Sequence, residues 1–419
     1  MKQQKEIEWT SLEIASKLYP ATWSLKDPKV FRISCELDQE ISRGLLQQAL
    51  DQTVEDFPLY RCVLKRGLFW YYLEESNIQP TVYPESKAVC APIYQGKKSD
   101  LLFRVSYYRK RIQLEVFHAL ADGTGALLFL QTLICHYLTI KSADFTGIVL
   151  DHEHSSLSSG KENSFDKYFI GRIREIKKPG KVKKAYQIRG TRLAEHRIQL
   201  IEGAMSTGEV LREAHKYHTT LTVFLASLFI YAIGSEMKAR KRIHPVILAI
   251  PVNLRQYFQS VTARNFFSYI NIGYRFEKHT DPLEAVIRDV ERLFKEQLTA
   301  ENLNDVSNKY LAIEQNMLSR IVLLPIKDLV LRLASRLAKR QSTSSLSNLG
   351  IITMPQEFNE TIRSFSFCAN ANRPQMNVCS FQDVLTVSIT SPYRETDIQK
   401  NFFRLLSQAG ISIELSANL

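Results

Sequence analysis

The chain has 419 residues, of which 45% are apolar and 23% charged, ordinary values for a folded globular protein that exclude a disordered or low-complexity chain. One hydrophobic core rarely grows to that length, so two domains are expected. Fifty-five Lys and Arg against 43 Asp and Glu leave a formal charge of +12, which favours anionic partners such as nucleic acid, acidic lipid, phosphorylated cosubstrates or an acidic carrier protein.

The opening MKQQKEIEWT is polar and lacks the apolar stretch of a signal peptide. No run of about 18 apolar residues follows, so no membrane span and a cytoplasmic location are expected. Residues 30–37 (VFRISCEL) alternate like a strand, and Ile41, Leu45, Leu46, Ala49, Leu50 and Val54 form one helical stripe ended by Asp56-Phe57-Pro58. YRCVL and LFWYYLE read as a hairpin around Lys65-Arg66-Gly67, and residues 101–118 as a second strand pair turning at Arg109–Arg111. An apolar helix follows over 123–140. Residues 151–164 are a polar, serine-rich loop, and 171–192 carry nine Lys or Arg broken by Pro179-Gly180. The domain division is therefore placed there: 1–170, a basic linker at 171–192, and 193–419. The linker is either solvated or a contact for phosphates or an acidic carrier, and its thin aromatic content argues against nucleic acid.

The second half repeats the style of the first. HRIQLIE reads as a strand, Ser206 or Thr207 caps a helix over 207–218, and 222–233 is a buried helix. HPVILAIPVNLR and FFSYINIGYRF are strands, and 281–299 is an amphipathic helix. In RIVLLPIKDLVLRLASRLAKR (320–340) leucine and isoleucine line one side and Lys or Arg the other. That helix either packs its leucines into the core with a solvated basic face, or makes peripheral contact with a membrane. LSNLGIITM, FSFCAN and VLTVSIT are strands, and a closing helix ends at Gly410. Mixed strands and helices in both halves mean an α/β or α+β fold.

The chemistry concentrates in EVFHALADGTGALLFL (115–130). A histidine with its ordinary pKa near 6.5 is mostly neutral at cellular pH, so His118 at a strand end can serve as a general base; the bland alternative is a buried ring bonded to backbone. Asp122 reads as the N-cap of the helix beginning at Gly123, and Gly123 and Gly125 permit close backbone approach. No third ligand stands at a useful spacing, so no metal is expected at this pair. His152-Glu153-His154 sits in the serine-rich loop, and the two S-x-x-K matches at 164–167 and 235–238 lack any companion Lys-Thr-Gly. The six cysteines, at 35, 62, 90, 135, 368 and 379, form no C-x-x-C pair and read as reduced, mostly buried thiols.

HALADG (118–123) has the form H-x-x-x-D-G and resembles the signature of the chloramphenicol acetyltransferase-like superfamily. That superfamily includes peptide condensation domains, plant acyltransferases, polyketide-associated acyltransferases and alcohol acetyltransferases. PVNLR (251–255), SNLG (347–350) and FPLYRCVL (57–64) are similar to further stretches of it, and the resemblance runs over nearly the whole chain. It implies a two-layer α/β sandwich in each of two domains, with a tunnel between them. It implies His118 as general base, and a structural Asp122 paired with an arginine, Arg255 first and Arg264 second, beside Gly123. Ser347 or Asn348 would donate to the oxyanion. No cofactor is held; acyl-CoA or a phosphopantetheine thioester is the cosubstrate, and the chain acts as a monomer. Phe117 stands where condensation domains usually carry a first histidine, and the plant branch's Asp-Phe-Gly-Trp-Gly does not occur. Both departures favour a stand-alone O-acyltransferase of the alcohol acetyltransferase or polyketide-associated kind, acting on an alcohol. The alternatives are an N-acylating, condensation-like enzyme fed by a carrier protein, and a non-catalytic relative that binds a carrier or lipid.

Overall fold

The computed structural model describes residues 9–13, 16–96, 100–148, 150, 184–258, 264–277, 281–315, 321–370 and 372–418. His152–His154, the S-x-x-K at 164–167, linker residues 171–183 and Arg320 lie outside these. In the first lobe β1 (Trp9–Ser11), β3 (Cys62–Arg66) and β4 (Tyr71–Glu75) make a small sheet in the order β1-β4-β3. A five-stranded sheet holds β2 (Val30–Leu37), β5 (Tyr83–Pro84), β6 (Phe103–Tyr108), β7 (Arg111–Phe117) and β12 (Ile362–Ala369), in the order β12-β2-β7-β6-β5.

Alternation sorts the faces of this sheet. Ile33, Cys35 and Leu37 of β2 join the core beneath α2 (Arg43–Asp56) and α3 (Gly123–Lys141), with Leu46, Leu50, Phe129 and Leu133. Arg32, just before them in sequence, is buried with Glu115 of β7, whose carboxylate also accepts from Arg104 Nε at 2.8 Å and from the Cys90 N–H at 2.7 Å. α3 has the length and mean hydropathy of a membrane-crossing helix, although Gln131, Thr132, His136 and Thr139 interrupt its apolar residues. Its apolar side chains fill the first core instead, as do most of the residues it packs against.

The second lobe is built on a seven-stranded sheet in the order β10-β9-β11-β13-β14-β8-β15. Its strands are β8 (Gln199–Ser206), β9 (Val246–Asn253), β10 (Phe267–Tyr274), β11 (Ser344–Ile352), β13 (Gln375–Phe381), β14 (Val384–Ser391) and β15 (Glu414–Ala417). The helices α4 (Thr207–Lys216), α5 (Leu221–Ser235), α6 (Leu283–Gln297) and α9 (Asp397–Gln408) cover it, α5 being buried along most of its length. Ser206 caps α4 by accepting from the Glu209 N–H. All six cysteines are buried.

Two findings alter the organisation read from the sequence. β12 lies within 193–419 yet pairs antiparallel with β2, Phe365 opposite Cys35, so that range is not a closed unit. β13 serves both lobes: Met376 and Val378 enter the second core, Cys379 and Phe381 the first. The second finding concerns the 320–340 helix, α8 (Leu324–Ala338). Leu324, its first residue, enters the first core, but beyond it Lys327 and Asp328 are buried while Ile326, Leu329, Val330, Leu333 and Leu337 are exposed, so core packing of the apolar stripe is overturned. Each of these side chains forgoes about half of the roughly 1.5–3 kcal/mol that full burial confers.

Candidate active site

His118 follows the last residue of β7, and its N–H donates to the Lys29 carbonyl at 2.8 Å. Lys29 holds that carbonyl in place with a left-handed backbone, φ 59°. The His118 ring stacks on Tyr19 of α1 (Leu18–Thr22) at 4.4 Å and meets Phe31 edge-on at 5.0 Å. Nδ1 is sealed in protein beside Asn265, so the accessible edge of this half-buried ring is the one bearing Nε2. Burial lowers the imidazole pKa to about 4, outweighing the Asp122 carboxylate, which raises it. The ring is neutral at pH 7, the state a general base needs.

Asp122 caps α3, Oδ1 accepting from the Gly125 N–H at 2.9 Å. Its Oδ2 accepts from the Phe266 N–H at 2.9 Å and from Arg255 Nη1 at 2.9 Å. Arg255 stands just after β9, and Asn253 aligns it by accepting from both its N–H and its Nη1. The structure thus brings Asp122 and Arg255 together across the seam between the lobes. Arg264, the other arginine considered, pairs instead with Glu13 at 3.1 Å, while its carbonyl accepts from Arg255 Nη2.

Asn265 was not legible in the sequence. Its Nδ2 donates to the His118 carbonyl at 3.0 Å and to Ser16 Oγ at 2.7 Å, tying the loop after β7 to the second lobe. It stands two residues before an evident strand in a stretch without periodicity. Asn265→Ala is expected to cost about 1–3 kcal/mol by leaving these groups unpaired. Denaturant melts would show the loss, and steady-state kinetics a fall in kcat from a looser imidazole.

A cavity of about 300 Å³ lies at the seam, lined by His118, Asp122 and Gly123 from one side and by Asn253, Arg255, Ser347 and Leu349 from the other. A Cβ on Gly123 would come within 2.6 Å of Leu349 Cδ2, so glycine is what lets α3 begin this close to β11. Ser347 lines the cavity with no hydroxyl partner among the described residues. Asn348 is committed: Nδ2 donates to Thr222 Oγ1 at 2.9 Å, and Oδ1 accepts from the N–H of Gly350, whose φ is +79° at the irregularity in β11. Of the two oxyanion candidates, Ser347 is therefore the freer donor.

The farther wall is cationic. Asp27 Oδ2 accepts from Lys29 Nζ at 2.6 Å, Lys339 Nζ at 2.8 Å and Asn372 Nδ2 at 3.0 Å. Burial raises the Asp27 pKa, but Lys29 and Lys339 together bring it below the usual carboxylate range. Arg373, held by the carbonyls of Ser342 and Lys339, adds a further positive charge to the lining.

The alcohol acetyltransferase family model matches residues 178–407, more than half of the chain. The chain belongs to the alcohol acetyltransferase family. It is thus an acyltransferase, with the two-domain chloramphenicol acetyltransferase-like fold that solved structures share. F. sporotrichioides TRI101, complexed with coenzyme A and T-2, superposes with a TM-score of 0.64 at 11% identity, over 97% of this chain and 99% of that one. TRI3 trichothecene 15-O-acetyltransferase from Fusarium sporotrichioides gives 0.61 at 11%, over 96% and 94%. The first condensation domain of the calcium-dependent antibiotic synthetase, in complex with a substrate analogue, gives 0.61 at 11%, over 96% and 96%. No curated sequence is similar enough to count as a relative of this alcohol acetyltransferase family member.

Proposed function

We propose that the protein moves an acyl group from acyl-CoA to the hydroxyl of a small-molecule alcohol, with His118 as general base. The observation that carries this is a neutral imidazole whose open edge meets a seam cavity, its loop fixed by the Asp122–Arg255 pair. Nε2 takes the hydroxyl proton as the alcohol oxygen attacks the thioester carbonyl carbon. Ser347 Oγ donates to the oxyanion that forms. Collapse breaks the C–S bond, and the thiolate leaves with the proton returned by the imidazolium. An ester and free thiol result, with no covalent enzyme intermediate.

Two supports point to CoA as donor. TRI101, of the same fold, is complexed with coenzyme A. The Lys29, Lys339 and Arg373 wall suits a polyanionic cosubstrate. A carrier-protein thioester is the second reading, favoured by the likeness to a condensation domain. Thiol release from acyl-CoAs against a panel of alcohols, with product mass, tests the proposal. Release that needs both acyl-CoA and alcohol is expected; release only from carrier thioesters would move the donor to the second reading, and none from either would overturn transfer. With the His118 pKa at about 4, kcat/KM should stay level from neutral pH to about 5 and fall as the ring protonates. The same depressed value makes His118 a stabilising group above its unfolded pKa near 6.5, an advantage lost as pH falls toward 4.

A further inference from the structure

On α8 the residues at i, i+3, i+4, i+7 and i+11, namely Ile326, Leu329, Val330, Leu333 and Leu337, are 50–62% exposed. They form one stripe, because that spacing follows a single helix face. The polar side chains hold the helix to the protein. Lys327 Nζ donates to the Phe69 carbonyl at 3.0 Å and lies 3.3 Å from the Trp70 ring centroid. Asp328 Oδ2 accepts from the Tyr71 hydroxyl at 2.8 Å, and Arg332 Nε donates to the Ala21 carbonyl at 2.7 Å. The helix is mounted with its apolar side outward.

The apolar surface continues past both ends. The Leu324 N–H donates to the carbonyl of Leu68, a residue 65% exposed. At the other end Lys339 grips Asp27, in the turn that exposes Leu25. Lys339, Asp27 and Tyr19 also line the cavity of His118, so the outward surface ends at the reaction cavity.

Charge selects the occupant. Arg336 and Arg340 are exposed along the stripe, and the single acidic residue between 321 and 341, Asp328, is buried. A second copy docked face to face would bring arginine against arginine with no carboxylate between them. Anionic headgroups over hydrocarbon match both features.

We propose that the outward face of α8 docks the protein on an anionic membrane, and that an oily substrate passes from the bilayer to His118. The docking stands on the surface alone; the passage rests on the acyl-transfer reading above.

Flotation with phosphatidylcholine vesicles, with and without phosphatidylserine, tests the docking. Wild-type chain is expected to float with phosphatidylserine vesicles. L329E/L333E should lose at least about tenfold in partitioning, with unchanged melting because both positions face outward. R336E/R340E should lose binding to the same vesicles. For the passage, turnover of a vesicle-embedded long-chain alcohol should fall in L329E/L333E while turnover of a water-soluble alcohol holds. Equal loss on both alcohols would overturn the passage and leave the docking. Wild-type protein that ignores both vesicle types, or L329E/L333E that still floats, overturns the docking. A wild-type dimer that L329E/L333E converts to monomer assigns the face to a second copy and overturns it as well. If neither alcohol is acylated, the acyl-transfer reading fails and the flotation result stands by itself.

Discussion

Replacing His118 with alanine is expected to lower alcohol-dependent thiol release by roughly 10²–10⁴-fold, the range a positioned general base contributes. The fold should survive. The ring is half-buried at the cavity edge, and the two cores are assembled from other side chains. Its loop is held through backbone, by the Lys29 carbonyl and the Asn265 amide, and those bonds remain in the variant. Circular dichroism and thermal melting would check the fold, and thiol release at saturating alcohol the chemistry. Turnover within a few-fold of wild type in a folded H118A chain would remove the imidazole from the mechanism.

Arg255→Ala should act through stability as much as chemistry. It strips the cationic partner from a carboxylate that is 5% exposed, and breaking a buried pair from one side costs about 3–5 kcal/mol. Asp122 would keep the N–H groups of Gly125 and Phe266 but carry an uncompensated charge. Denaturant midpoints should fall accordingly, and kcat should drop because the turn between β7 and α3 loosens. Asp122→Asn in the same background removes the stranded charge and should recover part of the stability. A coupling energy near zero in that double-mutant cycle would mean that the pair does not hold the site.

How much of this was legible in the sequence differs by element. The strand pair at 101–118, the helix behind it and the hairpin at 62–75 follow from local periodicity, which the structure preserves. His118, Asp122 and Arg255 were legible because a short local motif carries the first two and a family resemblance the third. β13 was missed because it is buried on both faces and shows no alternation. α7 (Ala300–Gln315) was missed because AENLNDVSNKYLAIEQ has a weak apolar stripe. The Asp27–Lys29–Lys339 cluster joins residues more than 300 positions apart, and no local pattern encodes such a meeting. The leucine stripe at 324–338 was plain, but periodicity identifies an apolar face without saying what covers it.

The loan of β12 to the first lobe has a consequence for how the protein comes into being. Until the ribosome has delivered Ala369, the growing chain carries β2 with one rail of backbone amides and carbonyls vacant. That rail is a template for any passing strand, and it stays open while more than 300 further residues are made. The first lobe's sheet and core are therefore complete only after the strand that stitches the lobes has been made.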